Sequence, residues 1–294
     1  MSTFWRSLLY VPANVPRFVE KAHTRGADCI ILDLEDSVPV SEKASARNAI
    51  ESALAHVRLG GGDVAVRINA GMAAAAADLE FAIRPGVDAI VVSKARGPDH
   101  IQLIDELIDE LEAKAGVATG STKLILLIET PDALSHAASV GRASKRNVAM
   151  ALGGEDFAAS IGADATEETL AVPKQLALHA ARAAGLSPIG LIGSMAGFKD
   201  IAAFEALARR SRAMGFEGAS CVNPAQVPAL NAAFTPSEAD CENARRVLDV
   251  LNAALREGRG SAQLDGKMID APVAARAQRL LDRASSIAQR ESIA

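Results

Sequence analysis

Residues 124–131 read Leu-Ile-Leu-Leu-Ile-Glu-Thr-Pro, a stretch that predicts a buried strand with a polar group at its end. Five consecutive aliphatic residues are typical of a parallel strand that helices cover on both faces. The run ends in the carboxylate of Glu129, and Pro131 suits the first position of a helix. Residues 148–156 repeat the design, because the apolar run Val-Ala-Met-Ala-Leu is followed by Gly-Gly-Glu-Asp. The chain therefore places acidic side chains at the ends of two buried strands.

Short aliphatic runs alternate with longer amphipathic stretches along the whole chain. The predicted strands are Ser7–Val11, Asp28–Leu34, Val64–Ile68, Ala89–Ser93, Leu124–Ile128, Val148–Leu152, Ile189–Ile192 and Gly218–Val222. Strand–helix units of this number, in about 250 residues, predict a (β/α)8 TIM barrel. A doubly wound open sheet is the alternative, but such a sheet usually carries a glycine-rich turn after its first strand. This chain has Pro12-Ala13-Asn14 there.

The length of 294 residues leaves room for an appendage after the barrel. We expect a catalytic barrel domain over residues 1–235 and a C-terminal helical lid extension over residues 236–294. The extension has a long helical pattern at Ser237–Arg256, a Gly-Arg-Gly-Ser segment at 258–261 and a last helix from Pro272. A barrel does not need these pieces, so we expect them to cover the mouth of this barrel or of a neighbouring one.

Composition excludes several classes of function. The net charge is −5 with both signs interspersed, so no basic patch indicates a nucleic acid or a membrane surface as partner. No apolar run approaches the ~20 residues that span a bilayer. Met1 leads almost directly into a strand, so no signal peptide is expected. The three cysteines are far apart in sequence, which is typical of reduced thiols in a cytoplasmic protein.

Polar residues at the predicted strand ends are the candidate site, because the loops of a barrel converge there. They include Glu35, Asp36, Arg67, Lys94, Glu129 and Asp156. This set is rich in carboxylates and contains no histidine, since the five histidines all fall on predicted helices. Carboxylates suit a hard cation such as Mg²⁺ or Mn²⁺, with water and substrate oxygens completing its coordination. We therefore predict that Glu129 and Asp156 hold a divalent metal across the barrel mouth.

The other strand-end residues have predicted roles around that metal. Arg67 suits an anion clamp, because a planar guanidinium grips a carboxylate or enolate with two parallel bonds. Main-chain N–H groups at Gly154 and Glu155 suit the approach of a ligand carboxylate. Glu35 and Asp36 are expected to orient metal-bound water.

Other roles remain open for three of the strand-end residues. Glu129 would instead form an ion pair with Arg67 inside the barrel, and Asp156 would cap the helix that follows it. Lys94 would form a Schiff base with a keto substrate, although neighbouring carboxylates favour a protonated amine.

Taken in order, six segments resemble the citrate lyase beta-subunit-like family of the HpcH/HpaI aldolase/citrate lyase superfamily. They read RSLLYVP at 6–12, LDLEDSV at 32–38, VRIN at 66–69, IETP at 128–131, GEDF at 154–157 and LDGKMIDAP at 264–272. The resemblance spans nearly the whole chain. It implies a (β/α)8 barrel that assembles as homotrimers or homohexamers. It also implies Mg²⁺-dependent cleavage or formation of a carbon–carbon bond in malyl-, citramalyl- or citryl-thioesters.

Residue roles follow from the same resemblance. Glu129 and Asp156 match the metal ligands, and Arg67 matches the residue that binds the keto-acid product. Asp270 matches a lid acid–base that reaches the active site of the neighbouring subunit. Tyr10 and Lys21 fall where relatives contact the coenzyme A moiety of the substrate.

The chain departs from the family pattern at several positions. Ala13 and Val15 stand where many relatives have Gly and Arg, and that arginine helps to hold coenzyme A, so Arg17 is a candidate substitute. Residues 191–198 lack the aspartates that are common there, and Asn223 stands in place of a frequent histidine. These departures leave the acyl group open. A metal-dependent aldolase of free 2-keto acids and a non-catalytic barrel that binds a keto acid or acyl-CoA are the alternative functions.

Overall fold

The computed structural model describes residues 4–193 and 200–293, so residues 194–198 of the divergent segment lie outside the described part. The chain divides into two compact units, residues 1–234 and residues 235–294. Strands of the first unit are β1 Ser7–Pro12, β2 Cys29–Asp33, β3 Asp63–Ile68, β4 Ala89–Val92, β5 Lys123–Ile128, β6 Asn147–Leu152, β7 Ser187–Ile189 and β8 Ala219–Cys221. Each lies close to its predicted position in the sequence.

Helices follow the strands of the first unit. They are α1 Pro16–Ala22, α2 Lys43–Val57, α3 Met72–Ala82, α4 Pro98–Ala115, α5 Pro131–Ser135, α6 Ala137–Arg142, α7 Gly154–Ser160, α8 Glu167–Ala183, α9 Ile201–Met214 and α10 Val227–Phe234. No helix among the described residues combines the length and the apolar character that a membrane span requires.

The eight strands form one parallel sheet in the order β7-β6-β5-β4-β3-β2-β1-β8. A parallel bridge between Ile189 and Gly218 links the two ends of this order, and the N–H of Gly190 donates to the carbonyl of Gly218 at 2.8 Å. The sheet is therefore nearly closed on itself. The predicted (β/α)8 barrel is confirmed, and the open doubly wound sheet is wrong.

Alternation along the strands separates an inner from an outer core. The inner cluster takes every second residue of several strands and is filled by Leu8, Cys29, Ile31, Ala65, Ala89, Val91, Ile125, Leu127 and Ala149. The larger outer cluster takes the intervening residues and packs them against the helices. One alternation step beyond the inner cluster, toward the carboxyl ends, come Tyr10, Asp33, Arg67 and Glu129. The period of two thus directs these four polar side chains into the barrel mouth.

Two local predictions were wrong. The seventh strand begins two residues earlier than expected and contains Pro188, which weakens a strand signal in sequence. The single helix expected from Pro131 is two short helices that meet at His136. The helix expected next to Asp156 is α7, and it begins at Gly154, ahead of Asp156.

The second unit contains two helices and a hairpin. These elements are α11 Glu238–Arg256, β9 Ala262–Leu264, β10 Lys267–Ile269 and α12 Ala271–Ile293. Strands β9 and β10 pair antiparallel, and their turn residues Asp265 and Gly266 both have positive φ, at 48° and 75°. An Asp-Gly pair is a strong hairpin signal because both residues tolerate this conformation. The hairpin was missed because its strands are only three residues long.

A buried ion network fastens α4 to the amino-terminal end of the barrel. Arg146 donates to Glu112 through Nη1 at 2.9 Å and through Nη2 at 2.7 Å. The carboxylate of Glu112 also accepts the N–H groups of Gly120 and Thr122 at 2.7 and 2.8 Å. Although burial opposes ionisation, the bonds from Arg146 and Thr122 lower the pKa of Glu112 to about 2.

Glu112→Gln is expected to destabilise the protein near neutral pH and much less near pH 3. The pKa of Glu112 is lower in the folded than in the unfolded chain, so its stabilisation is complete above the unfolded pKa and is lost as pH falls toward 2. The shift corresponds to roughly 3 kcal/mol, and the variant also leaves Arg146 without its main partner. Urea unfolding at both pH values measures the difference. Glu110→Gln, on the exposed side of α4, is the control. An equal loss at both pH values would contradict the ionic origin.

Candidate active site

The carboxyl ends of the strands surround a cavity of about 1100 Å³. Its lining includes Tyr10, Asp33, Asp36, Arg67, Glu129, Gly153, Gly154, Glu155 and Asp156, together with Arg17, Lys21 and Arg25 along one side. Most of the predicted site residues of the first unit therefore meet in one cavity. A large pocket with a few converging charged groups is the usual form of an enzyme active site.

Glu129 projects from the end of β5 and is only 3% exposed. Its Oε2 accepts the main-chain N–H of Lys94 at 2.6 Å. Burial, followed by the nearby charges of Asp156 and Glu35, raises the pKa of Glu129 to about 7. Among the residues that the structure describes, no cationic side chain lies within ion-pair distance of this carboxylate. A buried acid without a neutralising partner is an unstable arrangement that a bound cation would relieve.

Asp156 lies beside Glu129, on the segment that follows the adjacent strand β6. Helix α7 begins at Gly154 with Gly153 as its N-cap, so Asp156 occupies the first turn rather than the capping position. Its Oδ1 lies 3.3 Å from the Nζ of Lys94. The two acids thus stand next to each other at the cavity, because β5 and β6 pair with Ile128 opposite Leu152.

Gly153 makes room for the Glu129 side chain. A Cβ atom at this position would lie 2.4 Å from Glu129 Oε1 and 2.5 Å from its Cγ, well inside van der Waals contact. The carboxylate therefore lies in a cradle that only glycine leaves open. The donor set is made of oxygen atoms alone, and in residues 4–193 and 200–293 no group of three or more His, Cys, Asp or Glu side chains is arranged to hold a metal ion. Two carboxylates fit a hard cation whose remaining positions are filled by water and substrate.

Gly153→Ala is expected to weaken Mn²⁺ binding by roughly tenfold or more, since small displacements of site groups have large effects. The added methyl group would force the Glu129 carboxylate out of its cradle. A titration of free Mn²⁺ by electron paramagnetic resonance measures the affinity. Gly71→Ala is the matched control, because a Cβ there meets no atom within 4 Å. Unchanged affinity in Gly153→Ala would show that the position of Glu129 does not set metal binding.

Arg67 uses two parallel N–H groups to bind Asp33, so these two groups are not available to a ligand. Nε and Nη2 donate to the two oxygens of Asp33 at 2.6 and 2.7 Å, and Nη1 lies 3.0 Å from Glu35 and 3.4 Å from Asp36. The Tyr10 ring stacks on the guanidinium at 4.7 Å. A substrate carboxylate would therefore reach Arg67 on the side of Asp36, the most exposed of its three partners. The alternative ion pair between Arg67 and Glu129 is not formed.

Asp33 is the site residue that sequence reasoning left without a role. It is completely buried, and it accepts bonds from Arg67, from the hydroxyl of Ser37 and from the N–H of Glu35. Burial opposes ionisation, but the hydrogen bond from Arg67 leads a set of bonds that hold the pKa of Asp33 below its usual value. The sequence could have placed Asp33 in the site, because the period of two in β2 puts it on the same inward face as Cys29 and Ile31.

Glu35 and Lys94 form a second layer behind the acids. Glu35 is 5% exposed and accepts the hydroxyl of Ser93 at 2.9 Å and the Nζ of Lys94 at 3.1 Å. Burial raises the pKa of Glu35, while the charge of Arg67 acts in the opposite direction. Burial disfavours the Lys94 ammonium, yet its bond to Glu35 keeps the pKa above the ordinary value. A protonated amine cannot attack a carbonyl, so the raised pKa argues against a Schiff base.

The remaining predicted residues lie in two places. Tyr10 and Lys21 both line the cavity, and so do Arg17, which lies on α1 with Lys21, and Arg25, which ends the 3-10 helix His23–Arg25 after α1. Asp270 belongs to the second unit, where its Oδ1 accepts the N–H of Val273 at 3.2 Å and thereby caps α12. Its role in the chemistry stays a prediction.

A (β/α)8 barrel with paired acids and an arginine at its carboxyl-terminal mouth defines a class of metal-assisted enzymes of small carboxylic acids. Comparison with known proteins is more specific. The model of the HpcH/HpaI aldolase/citrate lyase family matches residues 6–224, and the chain belongs to this family. That match includes every cavity residue named above.

Relatives of the chain carry two kinds of name. Citrate lyase subunit beta of Haemophilus influenzae is 34% identical over 284 residues, which cover 96% of this chain and 97% of that protein. (3S)-Malyl-CoA thioesterase of Cereibacter sphaeroides is 34% identical over 288 residues, covering 97% and 96%. Among solved structures, CitE of Mycobacterium tuberculosis in complex with magnesium, acetoacetate and coenzyme A has 30% identity and a TM-score of 0.75. It covers 97% of this chain and 100% of that one.

Proposed function

We propose that the protein is a Mg²⁺-dependent carbon–carbon lyase of 3-hydroxyacyl-CoA thioesters such as malyl-, citramalyl- or citryl-CoA. The products are a keto acid and a shorter acyl thioester. The observation that carries the proposal is the un-neutralised carboxylate of Glu129 next to Asp156 at the mouth of a family barrel. Relatives over nearly the full chain, together with a neighbouring structure that holds magnesium, acetoacetate and coenzyme A, support it.

Glu129 and Asp156 would hold Mg²⁺, with Mn²⁺ as a substitute. When bound, the ion supplies Lewis-acid polarisation of the substrate oxygens. Glu35 would keep its place beside Arg67, Asp36 would yield its contact with Nη1 to the substrate, and both acids would orient water at the site. The open positions that two protein ligands leave are what a chelating substrate needs.

The substrate's carboxylate has donors on two sides. Arg67 reaches it with Nη1 while Asp33 and the Tyr10 ring fix the guanidinium plane. The main-chain N–H groups of Gly154 and Glu155, in the first turn of α7, supply donors where a helix favours an anion. These groups would hold the carboxylate of the departing keto acid throughout the reaction.

Asp270 is the proposed acid–base. It would protonate the carbon of the acyl thioester that the broken bond leaves behind, and in the synthetic direction it would remove that proton. A lid from the neighbouring subunit of a homotrimer or homohexamer would bring it to the cavity. The assembly, the lid role of residues 236–294 and the supply of Asp270 across subunits are all part of this proposal.

The basic face of α1 suits the phosphate groups of coenzyme A. Arg17 and Lys21 are four residues apart and share one face of α1, and Arg25, in the 3-10 helix His23–Arg25 that follows, lines the same cavity. Arg17 would replace the arginine that relatives have at the position of Val15. The three cysteines are buried and form no disulfide in the described part of the chain, which suits a reducing compartment, so we propose a cytoplasmic location.

Lys21→Ala is expected to raise KM for the acyl-CoA about tenfold with little change in kcat, since a phosphate contact binds substrate and transition state alike. Steady-state kinetics with the acyl-CoA and with the matching acyl-pantetheine checks the assignment. The pantetheine thioester lacks the phosphates, so its KM should be the same for the wild type and for Lys21→Ala. Lys114→Ala, on the exposed end of α4, is the control. A fall in kcat with unchanged KM would contradict the role.

Hydrolysis of the thioester is the second candidate, because four relatives of 32–34% identity are named (3S)-malyl-CoA thioesterase. The deciding experiment incubates malyl-, citramalyl- and citryl-CoA separately with Mg²⁺ or with EDTA. Keto acid and free thiol are both measured. Metal-dependent release of a keto acid without free thiol supports the lyase. Free thiol without keto acid would assign a thioesterase, and no turnover of any thioester would favour a non-catalytic barrel.

A further inference from the structure

Lys94 touches both proposed metal ligands and the acid behind them. Its main-chain N–H donates to Glu129 Oε2 at 2.6 Å, and its Nζ lies 3.1 Å from Glu35 Oε1 and 3.3 Å from Asp156 Oδ1. These three carboxylates come from the ends of three different strands. A single residue on a fourth strand therefore links the whole acidic group.

The backbone of Lys94 is in an unusual conformation. Its φ is +49°, in the left-handed region, and among the described residues only Asp265 shares this feature without being glycine. Asp265 lies in a tight hairpin turn, which accounts for its conformation. Lys94 lies in no hairpin; the next residue, Ala95, donates its N–H to the carbonyl of Leu127 at 3.0 Å and ties the segment to β5. Backbone strain of this kind is concentrated at functional sites.

The two contacts of the ammonium differ in mobility. Glu35 is buried and held by the Ser93 hydroxyl at 2.9 Å and by Arg67 Nη1 at 3.0 Å. The Asp156 side chain is 38% exposed and the Lys94 side chain 36%. The Glu35 end of the link is therefore fixed, whereas the Asp156 end is open to solvent and to an incoming ion.

We propose that Lys94 is a positioning residue whose ammonium holds Asp156 beside Glu129 until a divalent cation takes over that carboxylate. This inference rests on the proposed function. When the cation binds, Asp156 leaves the Lys94 ammonium and becomes a ligand of the ion. The ammonium keeps its bond to Glu35. Because the ammonium competes for the same carboxylate, it lowers the affinity of the site for the metal.

The test is Mn²⁺ binding to the substrate-free protein, measured by electron paramagnetic resonance. Lys94→Met keeps the length of the side chain and removes its charge, and we expect it to bind Mn²⁺ about tenfold more tightly, or better, because a like charge within a few ångströms is gone. Lys94→Arg keeps the charge and should stay within about threefold of the wild type. Lys21→Met makes the same charge change elsewhere in the cavity and should have a much smaller effect.

Lys94→Gly provides a second variant that keeps the N–H to Glu129 and relieves the left-handed backbone. It should also bind Mn²⁺ more tightly than the wild type. Affinity that is unchanged or weaker in both Lys94→Met and Lys94→Gly overturns the inference. The metal site itself is tested by comparing the wild type with Glu129→Gln. If the wild type binds no Mn²⁺, or if Glu129→Gln binds it equally well, the proposed metal site is wrong, whatever the Lys94 variants show.

Discussion

Glu129→Gln is expected to abolish Mg²⁺ binding and lyase activity while making the metal-free protein more stable at pH 8. Loss of a metal ligand should reduce turnover by roughly three powers of ten or more. The gain in stability has a separate cause, because the carboxylate is buried and no cationic side chain among the described residues lies within ion-pair range of it. Burial raises its pKa to about 7, so ionisation at pH 8 costs the folded state roughly 3 kcal/mol.

The sign of this effect depends on pH. The pKa of Glu129 is higher in the folded than in the unfolded chain, so the folded protein binds the extra proton as pH falls. The destabilisation is absent below the unfolded pKa of about 4.3 and complete above pH 7. Glutamine keeps the shape of the side chain and still accepts the Lys94 N–H. The variant should therefore melt at a higher temperature than the wild type at pH 8, with little difference near pH 4.5.

Thermal unfolding in EDTA at both pH values measures this difference. Asp156→Asn is the matched control, because its side chain is 38% exposed, and it should lose metal binding without the gain in stability. Mg²⁺ should raise the melting temperature of the wild type above its value in EDTA, and it should not raise that of either variant. A metal-free Glu129→Gln protein that is less stable at pH 8 would mean that the carboxylate contributes favourably to the fold and is not held ready for a cation.

Asp270→Asn is expected to lose the carbon–carbon step by about two powers of ten or more, which is a typical contribution of general acid–base catalysis. Mn²⁺ binding should persist, because Asp270 is not a proposed ligand. Folding should also persist, since asparagine caps a helix as well as aspartate does and the bond to the Val273 N–H can be kept. Asp270→Ala should lose the same activity and, in addition, about 1 kcal/mol of stability from the missing cap.

Mixing two inactive variants tests whether Asp270 acts in a neighbouring subunit. Asp270→Asn supplies an intact metal site and Glu129→Gln supplies an intact Asp270. If each active site is built from two subunits, mixed oligomers formed by unfolding and refolding the variants together should recover part of the wild-type activity. Full activity in Asp270→Asn alone would remove Asp270 from the mechanism. Absence of recovery in demonstrably mixed oligomers would place its action within its own subunit.

The barrel was predictable because most of its strands are continuous apolar runs, as in a parallel sheet that helices cover on both faces, and eight such runs alternate with helical stretches. The position of Glu129 at the cavity was predictable for the same reason, since the residue after such a run lies at the carboxyl end. The partners of Arg67 were not foreseen. Asp33, Glu35 and Asp36 compete for one guanidinium, and only the cross-strand pairing of Asp33 with Arg67 decides which acid takes the parallel bonds. The left-handed backbone of Lys94 likewise leaves no mark in composition or periodicity.

Asp270 illustrates a different limit. Its local sequence, an aspartate before Ala-Pro at the start of a helix, fits a cap as well as a catalytic group, and the structure has it capping α12. Resemblance to the family supplied the catalytic role, and the physical chemistry of the segment alone would not. The start of helix α7 is similar, because Gly153 leaves room for Glu129 and Gly154 leaves room for Leu170, which only the folded structure shows.

A crystal of the protein grown with Mn²⁺ and examined by anomalous diffraction tests the paired-acid site. One strong peak should lie between β5 and β6 with an oxygen of Glu129 and an oxygen of Asp156 each within roughly 2.3 Å, the range expected for a hard divalent ion. The Lys94 ammonium should then remain near Glu35 alone. A peak that touches neither carboxylate, or no peak while Asp156 stays bonded to Lys94, would contradict the metal site and the mechanism built on it.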